Sequence, residues 1–469
     1  MREPDLDAKF SVDGLWWLPE RPSLRLPGTL SVEGGRDIRL KLFGVLAGPS
    51  SDSSGGLLRF PIILGTSDRE EPCTLSDTYG VWSSTQPDRQ TVATTELYAN
   101  RLYIGKHFPT ATDLQFTSME VRLTDLDRWL GWRPVKSCHA TSGVDWRVEE
   151  PDLCRKVLEF VDPARSVTLS IWSRLSEILS FAKFGGDFKV YLHIAPPAAS
   201  SFEWFLDYLF DVRNLFTLFI GSLVYVETMT GYGNEVEYAP DARRPEEISI
   251  HFNAMPWPKR DPAHPIDMPV TFQLIRGRTG EVFHAWFSNA QRLRLACELF
   301  FGAMYNPQMY ATSTFLNFTQ ALEVFHRVTR PENYVPDEEY ARYRQALESA
   351  IPATAPKRLR ERLETLLRYG NQCTLRDALR TLIDSLEENS RQRISADPKG
   401  FVNKVVESRN YLTHGDQSLK AKALSDSSPE GMKEFIHVYR RLQAILTIHL
   451  LKFIGIPESQ FASRVLRGF

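Results

Sequence analysis

Arg409 and His414 stand five apart near the end of the chain, within Glu407-Ser408-Arg409-Asn410-Tyr411-Leu412-Thr413-His414-Gly415-Asp416. A guanidinium grips the non-bridging oxygens of a phosphodiester, and an imidazole moves protons between attacking and leaving oxygens near neutrality. That pairing of groups needs no metal to act on a phosphodiester. Asn410 and His414 are four apart and so share a helix face, with Arg409 beside them and long enough to reach round the turn.

The element that must position them is a helix from Lys399 to His414. Phe401, Val402, Val405, Val406, Tyr411 and Leu412 recur at spacings of three to five, which predicts one apolar face looking inward. Gly415 suits the left-handed position that ends a helix, placing His414 in the last turn, beside the carbonyl ends. An arginine and a histidine there also serve as carbonyl caps and solvating groups, so the pattern by itself leaves both readings open.

Arg-Asn-x-x-x-His, written here Arg409 to His414, resembles the motif of the HEPN ribonucleases. The region before it resembles the N-terminal domain of the ApeA family of anti-phage proteins. That likeness rests on Phe10-Ser11-Val12-Asp13-Gly14-Leu15-Trp16-Trp17, on Leu97-Tyr98-Ala99-Asn100-Arg101-Leu102-Tyr103-Ile104-Gly105, and on Val121-Arg122-Leu123-Thr124-Asp125-Leu126-Asp127-Arg128-Trp129-Leu130. Together the two resemblances cover most of the chain.

The resemblance implies a metal-independent endoribonuclease with an RNA substrate and no cofactor. The ribose 2′-OH would attack the adjacent phosphate and leave a 2′,3′-cyclic phosphate. His414 would be general base or acid, Arg409 would stabilise charge in the transition state, and Asn410 would orient substrate or histidine. Glu323 and His326 would lie on a helix packed near the motif helix, with Glu323 a supporting partner. HEPN proteins bring two motifs together about a two-fold axis, which implies a homodimer or dimer of dimers with the Lys399 to Gly415 helix in the interface. Resemblance to ApeA implies abortive defence, the N-terminal region sensing infection through a trigger such as a phage protein and controlling RNA cleavage. The alternative is a non-catalytic module that binds a phage protein or glycan through its β-rich part and oligomerises through its helices.

A chain of 469 residues is too long for one core. We expect an α+β multidomain protein: an antiparallel β-sandwich-like region over 1–295, with a further division near 137–165 left open, then an all-α HEPN helical bundle over 300–469. The five cysteines, Cys73, Cys138, Cys154, Cys297 and Cys373, are scattered without a Cys-x-x-Cys pair, which predicts a reduced cytoplasm. Cys138-His139 followed by Cys154 lacks the close pairing of a zinc site. The acidic N-terminus has no signal-peptide core, and Leu215 to Val226 falls short of the roughly twenty residues that span a bilayer, so it reads as buried core rather than a membrane segment. The net charge is −2, but from residue 301 onward about 24 Lys+Arg face about 19 Asp+Glu, a weak basic bias in the half that carries the motif.

From Phe10 to about Val135, short alternating runs separated by turn residues predict an antiparallel sandwich or barrel. Gly48 to Gly56 reads as a hairpin loop. Trp16, Trp17, Trp82, Trp129, Trp132 and Trp146 either fill that β core or stack on a ligand. Ser137 to Pro151 reads as irregular. Strands are expected again at Val167–Trp172, Phe188–Ile194, Ile248–Phe252 and Val270–Ile275, with a helix over Phe202–Ile220 capped by Ser200 or Ser201. The proline-rich loop Pro256 to Pro265 is a contact surface or simply a loop. Gly231-Tyr232-Gly233-Asn234-Glu235 is expected in a turn and lacks the lysine and following helix of a phosphate loop. The period then changes near Ser288, predicting helices at Asn289–Gly302, Thr312–Arg327, Asp337–Ser349, Pro356–Gly370, Leu375–Asn389, Lys399–His414 and Pro429–Ile454. Lys357-Arg358-Leu359-Arg360-Glu361-Arg362 is a basic cluster that binds RNA backbone or forms a solvated face with an Arg360–Glu364 pair.

Overall fold

The computed structural model describes residues 5–35, 37–46, 58–83, 94–131, 135–140, 143–148, 154–180, 183–239, 242–253, 261–330, 333–425 and 428–468. The chain divides into two compact units, Met1–Gly280 and Glu281–Phe469.

In the first unit β1 (Lys9–Trp17), β2 (Leu26–Glu33), β3 (Asp37–Phe43), β4 (Leu58–Ser67), β5 (Pro72–Ser83) and β6 (Thr94–Ile104) pair antiparallel in the order β6-β3-β2-β1-β4-β5. β5 pairs again with β6, so the six strands close into a barrel rather than a sandwich. The alternation seen in the sequence is what fills it: along β3, Ile38, Leu40 and Leu42 are buried while Asp37, Arg39 and Lys41 face out. Trp16 lies wholly inside and donates its indole N–H to the Gly28 carbonyl at 3.2 Å. Its ring lies so close to β4 that a Cβ on Gly65 would fall 2.2 Å from it. Trp17 and Trp129 are buried as well, which favours core over ligand stacking for these three. The side chains of Trp82, Trp132 and Trp146, and the loop Gly48 to Gly56, lie outside the described residues.

The chain continues past the barrel through β7 (Gln115–Phe116), β8 (Ser118–Leu123), the short helix α1 (Leu126–Leu130), β9 (Val135–Ala140), β10 (Gly143–Val148), β11 (Cys154–Asp162), β12 (Val167–Ser180), β13 (Lys183–Ala195) and β14 (Ser200–Ser201). Helix α2 (Phe202–Ile220) follows, then β15 (Val226–Ala239), β16 (Ala242–Phe252) and α3 (Phe272–Ile275). Strands β11-β12-β13-β8-β15-β16 extend the barrel sheet from β6, while β9–β10 and β7–β14 are separate pairs. The Ser201 hydroxyl caps α2 by accepting from the Trp204 N–H at 3.3 Å. Phe202 and Phe205 of α2 meet Tyr103 and Phe116 of the sheet, and Phe216 and Phe219 meet Trp129. Among the described residues no helix is long and apolar enough to cross a membrane.

Three expectations fail here. Val270–Ile275 is not a strand: the Val270 N–H donates to the Phe219 carbonyl at the end of α2, and Leu274 N–H to Thr271 closes a helical turn. Within Ser137–Pro151 the described residues are not irregular: Ser137–Ala140 of β9 pairs antiparallel with Gly143–Trp146 of β10, Ala140 opposite Gly143. Gly231–Glu235 is no turn either. It lies inside β15, where the register shifts between Tyr232 and Glu235, and a Cβ on Gly231 would sit 2.4 Å from the Phe116 ring. The side chains of Cys138, His139 and Cys154 lie outside the described residues. Cys73 and Cys297 are buried, and burial pushes the Cys73 thiol up to about 12.

The second unit is helical: α4 (Thr279–Met304), α5 (Ala311–Thr329), α6 (Asp337–Ser349), α7 (Lys357–Tyr369), α8 (Leu375–Asp384), α9 (Glu388–Ile394), α10 (Pro398–His414), α11 (Pro429–Phe453) and α12 (Ala462–Val465). Helix α4 starts ten residues before the expected Asn289, because Val282, Phe283, Trp286 and Phe287 already recur at helical spacing and are buried. The expected helix Leu375–Asn389 is two helices. The break is held from outside: Lys452 donates to the Ser385 carbonyl at 2.8 Å and Glu458 accepts from the Glu387 N–H at 3.0 Å. Helices α5, α8, α10 and α11 form the packed centre, with α5 against α11 and α8, and α10 against α8 and α5.

Candidate active site

Helix α10 begins at a built cap. The Asp397 carboxylate accepts from the Gly400 N–H at 2.9 Å and Pro398 occupies the first turn. It ends where Gly415 turns left-handed at φ 66° and returns its N–H to the Tyr411 carbonyl at 2.8 Å. The inward face is shorter than expected. Phe401, Val402 and Val405 are buried, but Val406, Tyr411 and Leu412 are only half-buried, so the last turn rises out of the bundle.

Ser408 takes over where the apolar face stops. Fully buried, its hydroxyl donates to the Lys404 carbonyl at 2.6 Å and accepts from the Leu424 N–H at 2.9 Å, tying the chain beyond the helix back onto the motif turn. The sequence carries no signal for that role, since a serine inside a helix is ordinarily a solvated residue.

Arg409 is held from two sides. Its Nη1 donates to Asn410 Oδ1 at 3.1 Å, and its Nη2 lies 3.9 Å from Glu323 Oε2 on α5. The other oxygen of Glu323 accepts from Arg327 Nη2 at 3.1 Å, so one carboxylate bridges two guanidiniums. Thr413 donates to the Arg409 carbonyl at 2.6 Å. His414 is exposed at the helix end, with Asn410 half-buried behind it. The structure therefore brings Arg409, Asn410 and Glu323 into one constellation on two helices, and places His414 at the rim of the same turn. Arg327 was not anticipated, although its position four residues after Glu323 is the ordinary helix pairing.

A cleft of about 120 Å³ is lined by Glu323 with His326, Arg327, Arg330, Gln372 and Cys373 among others. The basic cluster at the start of α7 is largely exposed. Its pairing differs, with Lys357 on Glu361 at 3.9 Å and Arg360 donating to the Ala353 carbonyl at 2.9 Å instead of pairing with Glu364.

A family model described as ApeA N-terminal domain 1 matches residues 11–286, more than half of the chain. The chain belongs to the ApeA family. A second model, Apea-like HEPN, matches residues 316–460, which takes in Glu323 on α5 and the whole of α10. No curated protein and no solved structure matches the chain. Its domain pair is that of a HEPN nuclease-type anti-phage protein: an ApeA barrel-and-sheet region followed by the helical ApeA-like HEPN domain.

Proposed function

We propose that this ApeA-family chain is a metal-independent endoribonuclease of abortive anti-phage defence. The observation that carries the reading is the placement of Arg409, bridged to Glu323 and Asn410, one helical turn from an exposed His414 at the left-handed end of α10. Arg409 neutralises the non-bridging oxygens of the scissile phosphate. His414 takes the proton of the ribose 2′-OH as the 2′ oxygen bonds to phosphorus. The bond from phosphorus to the 5′ oxygen breaks, and that oxygen receives a proton, leaving a 2′,3′-cyclic phosphate and a 5′-OH. Asn410 fixes the guanidinium through its amide oxygen. One histidine serves poorly as base and acid in the same turnover, so a second copy of the motif, brought in by a dimer with α10 in the interface, supplies the other proton transfer. The β-rich region senses infection, with a phage protein as trigger, and controls cleavage.

Incubating the full-length protein with RNA, with and without EDTA, tests this against a chain that only recognises and oligomerises. Cleavage that survives chelation supports the ribonuclease; RNA left intact by the wild type, alone and with lysate from infected cells, overturns it.

A further inference from the structure

Between α5 and α8 the chain leaves the packed centre for a helical hairpin, α6 and α7, that runs out and back between Tyr334 and Asn371. Its base is a built clasp. The buried Asn371 amide donates to the Val335 carbonyl at 2.9 Å and accepts from the Val335 N–H at 3.1 Å, while the Tyr334 N–H donates to the Asn371 carbonyl at 3.1 Å. The Tyr334 hydroxyl donates to Asp377 at 2.5 Å, the carboxylate of the capping box that opens α8. Within the hairpin, the Tyr340 hydroxyl donates to the Leu367 carbonyl at 2.5 Å, in a space that a Cβ on Gly370 would invade.

An element held this firmly buries nothing: no residue of α6 or of α7 is buried. Tyr343, Leu347, Leu359, Leu366 and Tyr369 are each half or more exposed. Leu359 and Leu366 lie seven apart on α7 with Tyr369 three further on, one row along one face, and Tyr343 and Leu347 are four apart on α6. Each helix has 13 residues. At that length an isolated helix is marginal in water, and its stability comes from packing an apolar face.

The charges indicate what packs there. Helix α6 carries Asp337, Glu338, Glu339 and Glu348 against Arg342 and Arg344, a net −2. Helix α7 carries Lys357, Arg358, Arg360, Arg362 and Arg368 against Glu361 and Glu364, a net +3. A two-fold contact presents the same patch twice, so the acidic α6 of each copy meets the basic α7 of the other, and both apolar rows are covered. We propose that the α6–α7 hairpin is a self-association surface, on which the hairpin of a second copy of this chain packs to close a four-helix bundle. This contact lies on α6 and α7 and not on the α10 face proposed to pair for catalysis, and it is read without a nuclease assay, so variants confined to the hairpin separate its failure from that of the proposed function.

Sedimentation of the full-length protein tests it with two double charge reversals on the hairpin. One variant carries Arg358→Glu and Arg362→Glu, the other Glu338→Lys and Glu339→Lys, and circular dichroism verifies that each is folded. Wild type associates. Each variant alone associates at least about tenfold more weakly, since like charges then face each other in both halves of the contact. An equimolar mixture recovers association, because acid again meets base on both sides. A wild type that is monomeric at tens of micromolar, variants that associate as tightly as wild type, or a mixture that stays dissociated would each overturn the proposal.

Discussion

At the scale of single residues, the two groups proposed to do chemistry differ in how they are held. Arg409 is fixed by Glu323 and Asn410, whereas His414 stands at the solvent-facing rim of its helix. Arg409→Ala is therefore expected to lower RNA cleavage by about a hundredfold or more in kcat with the fold intact, as loss of a charge-stabilising group does. Glu323→Gln keeps the shape but not the charge. It should cost about tenfold in kcat with little change in KM, since the carboxylate orients Arg409 and does not touch RNA; a change confined to KM would place Glu323 on the substrate instead. Two other histidines set an acid limit on the fold. His449 of α11 is buried and donates from Nε2 to the Leu382 carbonyl at 2.9 Å, and burial holds its pKa down to about 3. His251 of β16 is held down to about 4 by the same cause. Both folded values lie below the ordinary 6.5, so the unfolded chain takes up these protons first and stability is fully present above that pH. It falls as the pH drops through the window from 6.5 towards 3 to 4, by up to about 1.4 kcal/mol per pH unit for each histidine. Denaturant melts across that window measure the slope, and His449→Leu should flatten it for the helical unit; an unchanged slope would show that other groups set the acid limit.

At the scale of elements, what the sequence predicted well were segments whose own period decides them. Helix α6 falls at Asp337–Ser349 as expected, and α2 at Phe202–Ile220, because each carries a strong pattern between clear stops. The failures share a cause outside the segment. Helix α8 ends because Lys452 and Glu458 hold the break, and Val270 is drawn to the end of α2 rather than to a strand. Ser408 and the Asn371 clasp were equally illegible, since a hydroxyl or an amide declares a structural role only when its distant partner is known. Asn371→Ala removes both side-chain hydrogen bonds to Val335 and leaves its half-buried N–H and carbonyl without them, at a cost of about 1–3 kcal/mol. Hydrogen exchange should then show α6 and α7 opening while α10 and α11 stay protected; uniform exchange through the helical unit would mean that the hairpin is not a separate cooperative element.

At the scale of the whole molecule, closure of the barrel needs β6 to pair both with β5, which precedes it, and with β3, far earlier in the chain, a pairing that local alternation does not reveal. Both a sandwich and a barrel answer to the same pattern of inward Leu and Ile, and only the second contact of β6 separates them. Gly65→Ala tests that closure, for its Cβ must displace the Trp16 ring; the β-rich unit should lose several kcal/mol in denaturant melts, and full stability would deny the close approach. The motif itself was legible because its arginine, histidine and terminating glycine sit within one short run, whereas Arg327 and the cleft lined by Glu323 needed the fold to bring them near. The measurement closest to the central claim is cleavage of a defined RNA in EDTA by the full-length protein and by His414→Ala, with the new ends mapped chemically. Wild type should cut and leave 2′,3′-cyclic phosphate ends, and the folded variant should leave the RNA whole. Equal cleavage by His414→Ala, or ends bearing a 3′-OH, would contradict it.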